Sequence, residues 1–311
     1  MRKQISIGVD VGGSHISCAA YNLVDNILIT ESISHTDLNN QGSKDEIVGI
    51  FATLLNSCIN KIDRDKLSGI GIAMPGPFDY VNGIGLFTGS NAKFQSLSNV
   101  NLKSELQQCL NLPEAQIRFI NDATAFAIGE YFNGQLKGNK QALAITLGTG
   151  LGSAFLSDGI PVIVEGSVPE NGCIWHFPFE NGIADDYFST RGLVNRFFER
   201  TGIKINGVKE IADMVENNSV AKELFVDFGE KLALFLSPWI KSFAVEAIVF
   251  GGNISKASNL FDGALINQLK KDDLQLKIAY SELQESAAFV GGAQLLNSEF
   301  WKSVKSQLQY M

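Results

Sequence analysis

The chain contains no run of lysine or arginine, only four cysteines and three histidines, and no long uninterrupted apolar stretch. Acidic residues outnumber basic ones by 33 to 25, giving a net charge of −8 and a pI near 5.0. That balance argues against nucleic acid as the main partner, because polyanion binding normally shows as a basic footprint. Cys18, Cys58, Cys109 and Cys173 are widely separated, with no C-x-x-C pair and no His/Cys cluster at metal-ligand spacing. Isolated thiols of this kind point to a reduced, cytosolic protein. The longest apolar segment, 232–250, is broken by Pro238, Lys241 and Glu246, so no membrane span is expected. The first residues are basic, but Asp10 interrupts the apolar run too early for a secretory signal. With 311 residues, 45% hydrophobic and 19% charged, the composition is that of a globular chain long enough for two domains.

What the chain does contain is glycine, 30 residues of it, and two stretches place it in the same pattern. Ile7-Gly8-Val9-Asp10-Val11-Gly12-Gly13-Ser14 and Ala144-Ile145-Thr146-Leu147-Gly148-Thr149-Gly150-Leu151-Gly152 each follow a β-branched, apolar run. Each then leads into a second short apolar segment, 16–21 and 153–156, that ends at a polar turn. Position 148 less position 12 gives an offset of 136, which also sets Ser153 on Ser17 and Asp158 on Asn22. The halves read as divergent copies of one hairpin. Glycine loops of this type either close tight hairpins or bring successive backbone N–H groups onto phosphate oxygens. A pair of them suggests a polyphosphate held between two similar halves.

Strands are expected at 5–11, 16–21 and 26–34, then a helix with Ile47, Ile50, Phe51, Leu54, Leu55 and Ile59 on its apolar face, then a strand at 66–73 stopped by Pro75 and Pro77. Strand, helix and strand in that order indicate a mixed α/β domain with a parallel crossover. A helix at 102–110, a strand at 116–120 and a helix at 123–131 follow, before the meander restarts at 142–147, 153–156 and 160–165. The restart places a boundary near Ile120. The segment 167–184 lacks regular pattern and reads as a functional loop. Helices are expected at 191–200 and 221–243, the second with Leu224, Phe228, Leu232, Phe235, Leu236, Trp239 and Phe243 as a core stripe. A strand at 247–250 runs into Gly251-Gly252-Asn253, and a last helix at 287–310 returns to the first domain.

Asn121-Asp122 stands where a strand gives way to a helix, the place where α/β folds put ligand-contacting groups. The pair can cap the helix, or Asp122 can take a proton from a substrate hydroxyl as phosphoryl transfer begins. Asp10, at the end of the first strand, can hold Mg²⁺ through water or bond its own turn. Gly251-Gly252 can lie flat against a nucleoside or merely start the next helix. His176 follows Trp175 in an irregular stretch and has no ligand role on its own account. Asp185 and Asp186 can begin a solvated helix or accept hydrogen bonds from sugar hydroxyls.

Taken in order, these motifs resemble the ROK family of sugar kinases and related repressors, within the actin-like (sugar kinase/Hsp70/actin) ATPase fold. Asp10-Val11-Gly12-Gly13-Ser14 resembles the family's first phosphate motif and Leu147-Gly148-Thr149-Gly150-Leu151-Gly152 its second. The stretch from Gly71 through Gly76 to Asp79 is similar to its sugar-side loop, Asn121-Asp122-Ala123 to the segment of its catalytic aspartate, and Phe250-Gly251-Gly252-Asn253-Ile254-Ser255 to its adenosine motif. The resemblance covers nearly the whole chain. It implies a two-domain, ribonuclease H-like α/β fold with a duplicated mixed sheet and a central cleft, residues 1–120 and about 292–311 forming one domain and 121–291 the other.

It also implies ATP- and Mg²⁺-dependent phosphorylation of a hexose or N-acetylhexosamine, with glucose the best single guess, by a homodimer or larger assembly. Asp122 would be the base, and Asn121, Gly76 and Asn91 would meet the sugar. The family's Gly-Glu-x-Gly-His segment falls on Gly172-Cys173-Ile174-Trp175-His176: the histidine is kept, and Cys173 stands in place of a sugar-binding glutamate. A later family glutamate corresponds to Asp185, four residues before Ser189. The family's zinc-binding cysteines have no counterpart at 177–184, so no structural zinc is expected. Loss of one carboxylate would remove a charged hydrogen bond of about 1.5–3 kcal/mol, which puts glucose specificity in doubt. Two rival readings are a sugar-responsive repressor and a sugar sensor without turnover. The first needs a helix-turn-helix, for which no room is expected ahead of the first strand; retention of Asp122 and both loops weighs against the second.

Overall fold

The computed structural model describes residues 4–88, 93–113, 116–164 and 166–311. The chain forms two compact units, one of residues 1–137, 159–161 and 283–311, the other of residues 138–158 and 162–282. The first holds β1 (Ile5–Val11), β2 (His15–Asn22), β3 (Ile27–Asp37), α1 (Lys44–Ile59) and β4 (Leu67–Met74). A small hairpin of β5 (Phe78–Asp79) and β6 (Ile84–Gly85) precedes α2 (Leu102–Leu110), β7 (Ile117–Asn121) and α3 (Asp122–Asn133). The second unit starts with β8 (Gln141–Leu147) and β9 (Leu151–Ser157); the short β10 (Ile160–Pro161) groups with the first unit. Then come β11 (Pro178–Phe179), β12 (Gly182–Ile183), α4 (Ala184–Phe188), α5 (Thr190–Thr201), α6 (Val208–Met214), α7 (Ser219–Phe243), β13 (Ala247–Gly251), α8 (Asp262–Lys271) and β14 (Lys277–Tyr280). The chain finishes in the first unit with α9 (Glu285–Gln294) and α10 (Ser298–Val304).

The sheet of the first unit runs β3-β2-β1-β4-β7, and that of the second contains β9-β8-β13-β14 in that order. In both, an antiparallel hairpin is followed by two parallel pairings reached through helical crossovers. The duplication visible in the two glycine loops therefore extends to the whole strand order. The offset of 136 holds only for the leading strand of each hairpin. Val11 pairs with Ile16 across the first loop, whereas Leu147 pairs with Leu151 across the second, so the second loop is one residue shorter. Ser153 consequently matches Cys18 in register, not Ser17.

The first unit runs on to Lys137, past the expected break at Ile120, because α3 packs against α9. That crossing is close: a Cβ on Gly129 would collide with the Ala287 carbonyl and one on Gly291 with the Ala125 carbonyl. On its other side α9 lies directly on the sheet, where a Cβ on Gly8 would strike Phe289 and one on Gly71 would strike Gly292. Small residues let backbones approach, and here they seat α9 across β1 and β4.

Other expectations also differ from the structure. The final helix is broken at Leu295, and Asn297 restarts it by accepting the Glu299 and Phe300 N–H groups. Of the strand expected at 160–165, whose last residue lies outside the described ones, only Ile160–Pro161 forms β10, with the Val162 N–H still donating to the Phe155 carbonyl at 2.9 Å. The pattern missed α8 and β14, a strand of four residues with little buried surface. The irregular segment 167–184 contains a 3-10 turn at Glu170–Gly172 and the β11-β12 hairpin. The aromatic stripe of α7 is core: Phe228 within it is wholly buried, as are Phe188, Phe197, Phe250 and Phe261 of the same cluster. Among the described residues no helix is long and apolar enough to cross a membrane.

Candidate active site

In the first unit β1, β4 and β7 run parallel, so their carboxyl ends open on one edge: Asp10 is level with Ala73, and Met74 with Asn121. Ligand-contacting groups gather at such edges in α/β sheets. Asn121 caps α3, its Oδ1 accepting from the Thr124 N–H at 3.1 Å. Its Nδ2 stays free of that cap and lies 3.1 Å from Asp122 Oδ1 and 3.4 Å from the Tyr80 hydroxyl. Tyr80 donates to the Met74 carbonyl at 3.0 Å, and the exposed Gly76 stands beside its hydroxyl oxygen. Capping and site-building are therefore the same act for Asn121.

Asp122 is the first residue of α3, and its Oδ1 also accepts the Ala123 N–H at 2.9 Å. Burial pushes its carboxyl above the ordinary carboxylate range, while those hydrogen bonds and the charge of Lys93 pull the other way. Asp10 is pushed up to about 7, first by burial and then by the charges of Asp122 and Glu285. Glu285 opens α9, which the glycine contacts hold against β1, and its Oε1 stands 3.3 Å from His15 Nε2. The loop Gly12-Gly13-Ser14 turns over the same edge. It is held by the Gly12 N–H to the His15 carbonyl at 2.9 Å, by the Leu38 N–H to Ser14, and by Asn40 Nδ2 to the Gly13 carbonyl.

The second unit builds a similar edge from β8 and β13, with Gly251 level with Thr146. Gly252 adopts φ +81, and a Cβ there would collide with the Leu147 backbone, so only glycine fits against the second loop. Thr149 is exposed at the tip of Gly148-Thr149-Gly150. Thr190 holds the loop from below, its N–H and hydroxyl both donating to the Gly148 carbonyl at 2.8 and 2.9 Å. Asp185 accepts the Leu151 N–H at 2.7 Å and pairs through its other oxygen with Arg191 at 3.0 Å. One oxygen is thus engaged at the loop and the other by Arg191. Asn253 is exposed and accepts from Lys256 at 2.9 Å.

Cys173 lies in a segment clipped to β9 by Ser153, whose hydroxyl donates to the Gly172 carbonyl and accepts the Ile174 N–H. His176 is exposed and sits between the rings of Trp175 and Phe177, with centroids at 5.2 and 4.8 Å. Asn91 falls outside the described residues. His15, Asn40, Lys93 and Glu285 escaped the sequence reading, since each reaches the edge from a different element. Among the described residues no group of three His, Cys, Asp or Glu side chains is placed to hold a metal ion directly.

Two α/β units of the same strand order, each with a glycine loop at the carboxyl edge of its sheet, define the actin-like fold of the sugar kinases. The solved ROK glucokinase of Streptomyces griseus, in complex with glucose and AMPPNP, has that fold at a TM-score of 0.72 and 21% identity, the alignment covering 94% of this chain and 98% of that one. Residues 6–299 match the ROK family, and the chain belongs to it. It is 26% identical to the glucokinase of Thermotoga maritima over 95% of this chain and 98% of that protein. It is 25% identical to the xylose repressor of Caldicellulosiruptor bescii over 92% of this chain and 76% of that protein.

Proposed function

We propose that the protein is an ATP-dependent sugar kinase that transfers the γ-phosphoryl group to a hydroxyl of a hexose or N-acetylhexosamine, with glucose the first candidate. The observation that carries this reading is Asp122, fixed through one oxygen at the start of α3 and raised in pKa, beside the Gly12-Gly13 loop. A base whose pKa is lifted toward neutrality accepts a hydroxyl proton more readily than an ordinary aspartate. With Oδ1 held by Ala123 and Asn121, Oδ2 is the atom that receives the proton. The sugar oxygen then attacks the γ-phosphorus, and the bond to the bridging oxygen breaks as ADP leaves.

Asp10 fits a Mg²⁺ ion held through water. Its carboxylate takes no hydrogen bond among the described residues, and two nearby carboxylates raise its pKa, a state that a dication would reverse. Mg²⁺ bound there would offset charge on the phosphate oxygens. Gly12, Gly13 and Ser14 in the first unit, and Gly148, Thr149, Gly150, Gly251, Gly252 and Asn253 in the second, are the proposed nucleotide contacts. Gly76, Asn91, Asn121, Cys173 and His176 are the proposed sugar contacts.

ADP release from the purified protein with Mg-ATP, measured across hexoses and N-acetylhexosamines, tests the reading. Turnover on at least one sugar, lost in Asp122→Asn, is the expected result; no turnover on any of them overturns it. The repressor of Caldicellulosiruptor bescii supports a second reading, a sugar-responsive regulator. Sugar binding without ADP release in the same panel favours that one.

A further inference from the structure

Lys93 forms neither an ion pair nor a hydrogen bond among the described residues. An exposed lysine without a partner ordinarily carries its ammonium into water. Here the side chain lies along the first glycine loop instead. Its Nζ, Cε and Cδ stand 3.0, 3.3 and 3.7 Å from the position that a Gly13 Cβ would occupy. Gly13 leaves the room that the lysine fills.

The placement has a structural cause. Phe94, the next residue, is wholly buried in a left-handed conformation at φ 60, with its ring 5.6 Å from that of Phe87. Its N–H donates to the Asn40 carbonyl at 2.9 Å, while the Asn40 side chain donates to the Gly13 carbonyl. One residue therefore ties the base of Lys93 and the glycine loop together. The ammonium is also near enough to Asp122 to act on its charge. A cation fixed between a phosphate-type loop and the acceptor of the hydroxyl proton stands where charge develops on a transferring phosphoryl group.

We propose that Lys93 is a substrate-contacting residue, its ammonium holding the terminal phosphoryl oxygens of the nucleotide over Gly12-Gly13 and keeping hold of them as the group moves to the sugar. The inference rests on the kinase reading above. In the step itself the sugar hydroxyl gives its proton to Asp122, its oxygen bonds to the γ-phosphorus, and ADP departs with the electron pair of the broken bridge. Lys93 donates hydrogen bonds throughout and retains all of its protons.

Binding of Mg-AMPPNP and Mg-ADP to wild type, Lys93→Met and Lys93→Arg tests this directly, since only AMPPNP carries the terminal group. Lys93→Met should bind AMPPNP about tenfold more weakly and ADP within about twofold, with Lys93→Arg recovering most of the difference. Its kcat on the plateau above the acid limb should fall about 100-fold, beyond the upward shift of that limb expected when the Lys93 charge near Asp122 is removed. Equal losses for both nucleotides, no loss for either, or a fall in kcat explained wholly by a shifted acid limb would overturn the proposal, the last placing Lys93 on Asp122 alone. A wild-type chain that shows the AMPPNP-specific dependence on Lys93 and phosphorylates no sugar refutes the kinase reading and leaves the phosphate contact standing. One that binds neither nucleotide refutes both.

Discussion

Asp185 Oδ1 accepts the Leu151 N–H at 2.7 Å, and through this bond the start of α4 supports the second glycine loop. Loss of a charged hydrogen bond of this kind costs about 1.5–3 kcal/mol, roughly a tenfold change or more in a binding constant. Asp185→Ala should raise the KM for ATP about tenfold and leave the KM for sugar within about twofold. Asp185→Asn keeps an acceptor for Leu151 and loses only the pairing with the exposed Arg191, so its effect should be smaller. Steady-state kinetics with each substrate varied separately make the comparison. A rise confined to the sugar KM would return Asp185 to the sugar.

Asp10 gives stability a pH dependence of definite sign. Its carboxyl titrates near 3.8 in the unfolded chain and is pushed up to about 7 in the fold, so its contribution is fully present below pH 4. It is lost as pH rises through 7. Asp10→Asn should therefore match wild type near pH 4 and be more stable at pH 8, on the order of 2 kcal/mol after allowance for solvent screening. Denaturant melts at both pH values, with chelator present, provide the check. A variant less stable than wild type at pH 8 would show that the ionised carboxylate is stabilised by the fold.

Asp122 predicts a kinetic loss without a structural one. Asp122→Asn keeps the oxygen that accepts the Ala123 N–H and removes the proton acceptor, so kcat should fall about 10²–10⁴-fold while melting temperature is held or raised. The wild-type kcat profile should carry an acid limb above the ordinary aspartate range, because burial raises Asp122. Circular dichroism melts and a pH series of ADP release measure the two halves of this prediction.

The strand-loop repeats were legible because glycine and β-branched residues carry local signals, and the same signals located both loops and the strand-to-helix junction at Asn121-Asp122. The one-residue difference between the loops was not, since register is set by pairing with the neighbouring strand and not by residue type. Asp185 reads from sequence as a solvated helix start or, by the resemblance, as a sugar ligand. Only the fold shows that Leu151 and Arg191 are its partners. Lys93 and Glu285 stayed invisible for a related reason: each arrives at the site from a separate element, and although Asn91 stands two residues before Lys93, nothing in the residue type of either marks it.

Glycines of equal standing in the sequence differ sharply in the fold, which yields a paired prediction. Gly129 lies mid-helix in α3 and Gly49 mid-helix in α1, so alanine would gain up to about 1 kcal/mol of helix propensity at either position. At Gly49 nothing lies within 4 Å of the added methyl, and Gly49→Ala should stabilise by about 0.5–1 kcal/mol. At Gly129 the methyl meets the Ala287 carbonyl, a backbone atom that no rotamer change can move. Overpacking of that kind costs about 1–3 kcal/mol and exceeds the propensity gain, so Gly129→Ala should be net destabilised. Because α9 carries Glu285 toward Asp10, displacement of that helix should also lower kcat in Gly129→Ala and leave Gly49→Ala at wild-type activity. Urea melts and ADP-release rates of the two variants, measured side by side, test whether the α3-α9 crossing holds the catalytic edge in place.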